Sequence, residues 1–180
     1  ITNCMPTIIL KPKKDAAVRR FHPWIFSGAI ARTEGAPAAG DLVEVRTYDG
    51  AYLATGHWHP GSISVRILSY EPTDAGPDFW HRKLEQAYAL RRELGLAAVR
   101  DTSGYRLVHA EGDGLPGLII DVYDRTAVIQ CHSAGMHRSV DLITEALRAL
   151  FGDDLQAVYE KSRATLPGDV GMSDGYRYGA

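Results

Sequence analysis

The hydrophobic period differs between the first and the second part of the chain, and this difference limits the folds that are open to it. In the first part, apolar and polar residues alternate in short runs at 42–46, 52–58 and 63–68, which is the two-residue period of a half-buried strand. In the second part, two stretches at 78–94 and 140–151 have apolar residues every three or four positions, as on one face of a helix, and strand-like runs lie between and after them. Residues 71–78, rich in proline and glycine, separate the two patterns. The sequence therefore predicts two parts of different architecture.

The first part is predicted to be a small β-barrel or β-sandwich. The β-branched run Thr7–Leu10 favours a strand. Asp49-Gly50 joins two of the alternating runs in the manner of a two-residue hairpin turn. A domain of about 70 residues has a core that is barely sufficient for stability. We expect this domain to occupy residues 1–70.

The second part is predicted to combine helices with a sheet. The expected elements are a helix at 78–94, strands at 105–110, 118–123 and 127–131, a helix at 140–151, a strand at 155–160 and a last strand that begins near residue 176. The fold class is therefore α+β, in which a small β-barrel-like domain precedes an α+β domain. We expect a connector helix within residues 71–100 and the second domain at 101–180, with its last strand cut short.

The charge is distributed unevenly between the two parts. The 180 residues hold 20 Lys+Arg and 22 Asp+Glu, a formal net charge of −2. Residues 1–70 contain eight basic and five acidic residues, so their net charge is +3, and the remainder carries −5. Five of the eight cations fall within residues 11–20, beside a single acid. This run predicts a one-sided positive patch, and a solvated surface loop is the alternative.

Several common chemistries are disfavoured. The Gly-x-Gly-x-x-Gly match at 112–117 leads into an apolar β-branched run, whereas a dinucleotide fingerprint must open a helix, so a connection between strands is the better interpretation. The sequence contains neither a P-loop lysine pattern nor His-Glu-x-x-His. No apolar run approaches the ~20 residues of a membrane span. Two cysteines are too few for a disulfide framework, so we expect reduced thiols and a cytoplasmic protein.

A zinc site is one of two weaker candidates. His57 and His59 share one face of a strand, and His22 or Cys4 could complete a zinc site, although two such histidines are more often ordinary surface or half-buried residues.

Acidic residues near the glycine-rich connection suggest a small hydrolase that uses Glu111, Asp113 and His109. Acids at such positions, with Asp121, more plausibly cap the turn and the strand ends. Cys131 lies in an apolar alternation and is predicted to be a core residue.

The basic run with its aromatic neighbours is the strongest candidate for function. Lysine and arginine neutralise phosphates, and exposed aromatic rings stack on the unpaired bases of RNA. Trp24 and Phe26 have an alternative role in the core of a small domain, and we expect both to be structural. The charged residues have no such alternative. The predicted RNA-binding residues are Lys11, Lys13, Lys14, Arg19, Arg20, His22 and Trp24.

Three segments resemble a known family. They are residues 5–11, residues 19–30 with the motif His-Pro-Trp-Ile-Phe-Ser-Gly, and residues 105–121 with the motif Glu-Gly-Asp-Gly-Leu-Pro-Gly. They resemble the front half of the RlmI-type large-subunit (23S) ribosomal RNA cytosine-C5 methyltransferases. That resemblance implies an N-terminal PUA domain and a central strand-strand-helix-strand-strand domain. In the family, a C-terminal Rossmann-like domain that binds S-adenosylmethionine follows.

The resemblance implies that this chain is the RNA-binding and substrate-positioning portion of such an enzyme. Family chemistry uses a cysteine thiolate that adds to C6 of cytosine, but no position here matches its motifs. We therefore expect no catalytic, cofactor-binding or metal-binding residue in this chain, and S-adenosylmethionine only in the full-length parent. The expected partners are ribosomal RNA and the chain's own C-terminal methyltransferase domain, which would begin where the sequence stops.

The alternative is a scaffold module that dimerises or docks a catalytic domain and has no RNA affinity of its own. An apolar sheet edge expected near residues 155–159 motivates it. In that case the protein would be a homodimer and the basic run would only confer solubility.

Overall fold

The computed structural model describes residues 5–97, 103–166 and 174–180. These residues form two compact units, Ile1–Asp74 and Ala75–Ala180. The domain boundaries expected from the sequence, 1–70, 71–100 and 101–180, remain a prediction.

The first unit is a curled six-stranded sheet with one short helix. Its elements are β1 (Thr7–Leu10), α1 (Ala16–Arg19), β2 (Trp24–Phe26), a 3-10 turn (Ser27–Ala29), β3 (Ile30–Glu34), β4 (Leu42–Arg46), β5 (Tyr52–Trp58) and β6 (Ile63–Ser69). The strand order is β2-β6-β5-β4-β1-β3. All pairings are antiparallel except that of β1 with β4. The small β-barrel-like fold predicted from the alternating runs is confirmed.

The core of this unit comes from the inward residues of the alternating runs. Val43, Val45 and Val65 are fully buried, as is Ile8 on β1. Two strands were missing from the expectation. The first is β2, which follows His22 and pairs with β6. Strand β3 was not predicted because four of its five residues are exposed, so no buried alternation marks it.

The second unit is a five-stranded sheet with helices. Its elements are α2 (Pro77–Glu93), β7 (Gly104–His109), a 3-10 turn (Ala110–Asp113), β8 (Leu118–Tyr123), β9 (Thr126–Cys131), α3 (Ala134–Arg138), α4 (Val140–Phe151), a 3-10 turn (Gly152–Asp154), β10 (Ala157–Glu160) and β11 (Gly175–Tyr178). The strand order is β11-β10-β9-β8-β7, and only β9 and β10 run parallel. Helix α2 packs against α4 and β7. The α+β class is confirmed.

Strand β10 corrects one expectation about this sheet. It lies between β9 and β11, and both Ala157 and Val158 are buried. The apolar edge that was expected near residues 155–159 is therefore wrong, because the strand Gly175–Tyr178 covers that side. The edges of the sheet are β7 and β11.

A buried carboxylate joins three elements of the second unit. Glu160 on β10 accepts hydrogen bonds from His137 Nδ1 at 2.7 Å and from Arg177 Nε at 2.8 Å. Burial alone would raise the pKa of Glu160, but hydrogen bonds from His137, Ser162 and Arg177 outweigh it, so the pKa lies below its ordinary value. The ionised carboxylate therefore ties β10 to α3 and β11.

Among the described residues, no helix is both long enough and apolar enough to span a membrane.

Candidate nucleic-acid interface

The basic run occupies the connection between β1 and β2. Lys11 begins a turn in which Lys13 adopts a left-handed φ of 65°, and α1 follows directly. Val18 anchors this short helix because its side chain is only 3% exposed. The fold thus buries one apolar residue of the segment and leaves its five cations at the surface.

Three of the five cations make local contacts that leave them accessible. Lys11 Nζ donates to the carbonyl oxygen of Gly28 at 2.9 Å. Arg19 Nε donates to Asp15 Oδ2 at 2.5 Å, and this hydrogen bond lowers the pKa of Asp15. Arg20 Nε donates to the carbonyl oxygen of Ala16 at 3.2 Å. Of these three cations, Arg19 alone is paired with an acid among the residues that the structure describes.

Lys13 and Lys14 are exposed at the same turn. The salt bridges of the described residues include neither ammonium group. Since each lysine carries a full charge without an acidic partner there, both remain available to neutralise phosphates.

Strand β2 presents aromatic side chains to solvent. Ile25 points into the core and is 2% exposed, whereas its neighbours Trp24 and Phe26 lie on the opposite face of the strand. Phe26 is 48% exposed and Trp24 is half-buried. The expectation that both aromatic residues fill the core is wrong for Phe26, because alternation along the strand assigns the core position to Ile25.

His22 completes this group, which we call the aromatic cluster (His22, Trp24 and Phe26). The ring centroid of His22 lies 6.1 Å from that of Trp24 and 6.1 Å from that of Phe26. The centroids of Trp24 and Phe26 are 6.4 Å apart. The backbone N–H of Trp24 donates to His22 Nδ1 at 3.2 Å, which orients the imidazole. The structure therefore brings together the two aromatic residues predicted to bind RNA and adds Phe26.

Phe21 is a second exposed aromatic residue that the sequence reasoning missed. Its side chain is 71% exposed, its φ is 62°, and its ring meets Tyr70 edge-on at a centroid distance of 4.9 Å. Tyr70, the partner of Phe21, is itself partly buried, and this burial raises the pKa of its hydroxyl group. The period-two pattern around Ile25 could have identified Phe26, but no sequence signal distinguishes Phe21 from a core residue.

The acidic candidates for hydrolysis have structural partners in the second unit. Both Asp113 oxygens accept from the guanidinium of Arg91, with Nη2 2.7 Å from Oδ2, and the backbone N–H of His109 donates to Oδ2 at 2.5 Å. Asp121 accepts from Arg106 Nε at 2.8 Å. Because Asp113 accepts three hydrogen bonds, two of them from a buried guanidinium, it is poorly placed to act as a general base.

The remaining chemical candidates are the residues of the possible zinc site and Cys131. His57 lies on β5 and is 5% exposed. Within residues 5–97, 103–166 and 174–180, no three His, Cys, Asp or Glu side chains are close enough to hold a metal ion, and Cys4 lies outside these ranges. Burial raises the pKa of Cys131 to about 12, as expected of a core thiol and not of a nucleophile.

The first unit has the fold of a known class of domain. Residues 8–70 match the PUA-like domain family. The curled β sheet, with its exposed cations on the β1–β2 connection and its exposed aromatic side chains on β2, therefore belongs to a PUA-like domain.

The whole chain is similar to a set of curated bacterial proteins named ribosomal RNA large subunit methyltransferase I. It is 37% identical to that of Vibrio cholerae over 171 residues, 94% of this chain and 42% of the relative. It is 40% identical over 170 residues to that of Aeromonas hydrophila, 93% of this chain and 42% of the relative. The chain thus spans about two fifths of the length of these relatives, and the resemblance stated from its motifs is confirmed.

A solved structure shares the fold of both units. A Streptococcus mutans protein described as a SAM-dependent methyltransferase gives a TM-score of 0.77 at 16% identity, over 97% of this chain and 43% of that one. A second methyltransferase structure, solved with SAH, gives a TM-score of 0.76 at 16% identity, over 97% and 43%. At 16% identity, the similarity to these two structures is evidence of a shared fold and of nothing more.

Proposed function

We propose that this chain is the RNA-binding and substrate-positioning portion of a ribosomal RNA methyltransferase. Its PUA-like domain would hold ribosomal RNA through Lys11, Lys13, Lys14, Arg19 and Arg20 on phosphates and through His22 and Trp24 on bases. The observation that carries this proposal is the exposure of all five cations within ten residues of the β1–β2 connection, where a single acid competes with them. The names of the relatives support ribosomal RNA as the ligand.

Neutralising one cation should reduce the salt dependence of RNA binding. Each phosphate that meets a lysine or arginine releases condensed counterions, so Lys13→Gln or Arg20→Gln should lower the slope of log K against log salt by roughly one. The measurement is fluorescence anisotropy of a labelled ribosomal RNA fragment from low to moderate salt.

Arg82→Gln is the matched control, since Arg82 is an exposed cation on α2 in the second unit. It should leave the slope unchanged. If Lys13→Gln and Arg20→Gln also leave the slope unchanged, these residues do not meet phosphates and the assignment fails.

The activity of the whole protein is a further part of the proposal. We propose that it methylates C5 of a cytosine in 23S ribosomal RNA in the cytoplasm, with S-adenosylmethionine bound by a C-terminal domain on which this chain docks. The one glycine-rich match in this chain does not fit that cofactor. This segment at 112–117 passes through a 3-10 turn into strand β8, not into a helix that could open a cofactor loop.

The dimerising scaffold stays the alternative, although the exposed edge that motivated it is absent from the described sheet. Analytical ultracentrifugation with and without RNA separates the two proposals. A monomer that binds RNA is the expected result. A dimer without RNA affinity would favour the scaffold.

A further inference from the structure

We infer that the aromatic cluster takes an unpaired nucleobase, so that the RNA held by this domain is single-stranded where it meets β2. This inference rests on the RNA binding proposed above and specifies the class of RNA. Three features of the described residues support it: the exposed ring of Phe26, the position of β2 in the sheet and the cation beside it.

The first feature is the geometry of the three rings. His22, Trp24 and Phe26 meet at tilted or edge-on angles of 77°, 47° and 86°, with none stacked face to face on another. Such a group leaves ring faces uncovered, and Phe26 is 48% exposed. Because every base has a π face, an exposed aromatic ring stacks on single-stranded nucleic acid with little regard to sequence.

The second feature is the place of β2 at one end of the sheet order. Ile25 fastens the strand to the core, and its Cα partner on β6 is Val65, which is fully buried. The strand therefore holds its outward side chains on a fixed backbone. A rigid aromatic platform loses little conformational entropy when a base stacks on it.

The third feature is a cation next to the cluster. Lys11 Nζ is held by the carbonyl oxygen of Gly28, two residues after Phe26, and the backbone N–H of Lys11 donates to Ala29 at 2.8 Å. This contact brings the start of the basic run beside the end of β2. A nucleotide stacked on Phe26 would thus have a positive charge near its phosphate.

A continuous duplex does not match this surface. Bases in an A-form helix are stacked on one another and expose only their edges, so an aromatic ring at the surface has no face on which to stack. The cations could still meet duplex phosphates. The structure therefore predicts that the aromatic cluster binds unpaired RNA in preference to paired RNA, whereas the cations bind both.

The test compares the full chain with Phe26→Leu on two ligands. One is a single-stranded oligoribonucleotide and the other is the same sequence annealed to its complement. Leucine keeps an apolar side chain but has no π face. We expect Phe26→Leu to weaken single-strand binding about tenfold and to leave duplex binding unchanged. Tyr48→Leu is the matched control, because Tyr48 is a 57% exposed aromatic residue in the β4–β5 turn; it should change neither affinity.

A second measurement does not depend on a Phe26 variant. Stacking beside Trp24 should quench part of the tryptophan fluorescence of the unmodified chain when single-stranded RNA is added, and Trp24→Phe should remove that quenching. Equal losses for both ligands in Phe26→Leu, or unchanged affinity for both, would overturn the inference and leave the proposed function standing. If the unmodified chain binds neither ligand, the proposed function fails as well.

Discussion

Replacing Asp113 with alanine is expected to lower the free energy of unfolding of the second unit by about 3–5 kcal/mol. The Arg91 and Asp113 side chains are 9% and 5% exposed, so the substitution would leave a guanidinium buried without its counterion. It would also remove the acceptor of the His109 N–H. Urea denaturation of the variant in a Trp24→Phe, Trp58→Phe background, followed by circular dichroism and by the fluorescence of Trp80 on α2, measures the loss.

Glu145→Ala is the matched control for this prediction. Glu145 pairs with Arg148 on the surface of α4, where the two side chains are 66% and 44% exposed, and such a pair contributes little because water and salt screen it. If Asp113→Ala costs no more than Glu145→Ala, the Arg91–Asp113 pair does not hold the second unit together. That result would also reopen a chemical role for Asp113.

Gly56→Ala should destabilise the first unit by about 3 kcal/mol. A Cβ at this position would lie 2.3 Å from the carbonyl oxygen of Arg66 and 2.9 Å from Ile67 Cα. Both atoms belong to the backbone of β6, which cannot yield as a flexible side chain would. The pairing of β5 with β6 is irregular between Thr55 and Gly56, and glycine permits the close approach of the two strands there. Denaturation followed by tryptophan fluorescence measures the change.

Gly28→Ala serves as the control for Gly56→Ala. No atom lies within 4 Å of a Cβ built at Gly28, and its φ is not left-handed. We expect a change of less than about 0.5 kcal/mol in the free energy of unfolding. Equal effects of the two substitutions would mean that the strands relax around Gly56, contrary to the prediction. Hydrogen exchange of the β5 and β6 amides would show where the loss occurs.

Much of the candidate interface could be predicted from the sequence, but its orientation could not. The cations of residues 11–20 were recognised because charged side chains in such number remain at the surface. Phe26 was expected to be buried because a single aromatic segment does not show which of its residues point inward. The answer depends on the pairing of β2 with β6, which assigns Ile25 to the core.

The role of the Glu-Gly-Asp-Gly motif also needed the tertiary structure. Taken by itself, Asp113 in a glycine-rich segment is compatible with turn capping or with acid-base chemistry. Its main partner is Arg91, which lies 22 residues earlier on α2. In the sequence, Arg91 interrupts the apolar face of that helix, because it is a basic residue at a buried position. The motif and the buried arginine explain each other only when the helix lies against β7.

By itself, the sequence determined the elements whose signal is local. These are the hairpin of β4 and β5 around Asp49-Gly50, helix α2, and the strands β8 and β9, since hydrophobic period and turn chemistry are properties of neighbouring residues. The tertiary structure alone decided that β10 is an inner strand, that Phe26 faces solvent and that Asp113 is neutralised by Arg91. Each of these depends on residues far apart in the chain, whose pairing arises when strands and helices pack together.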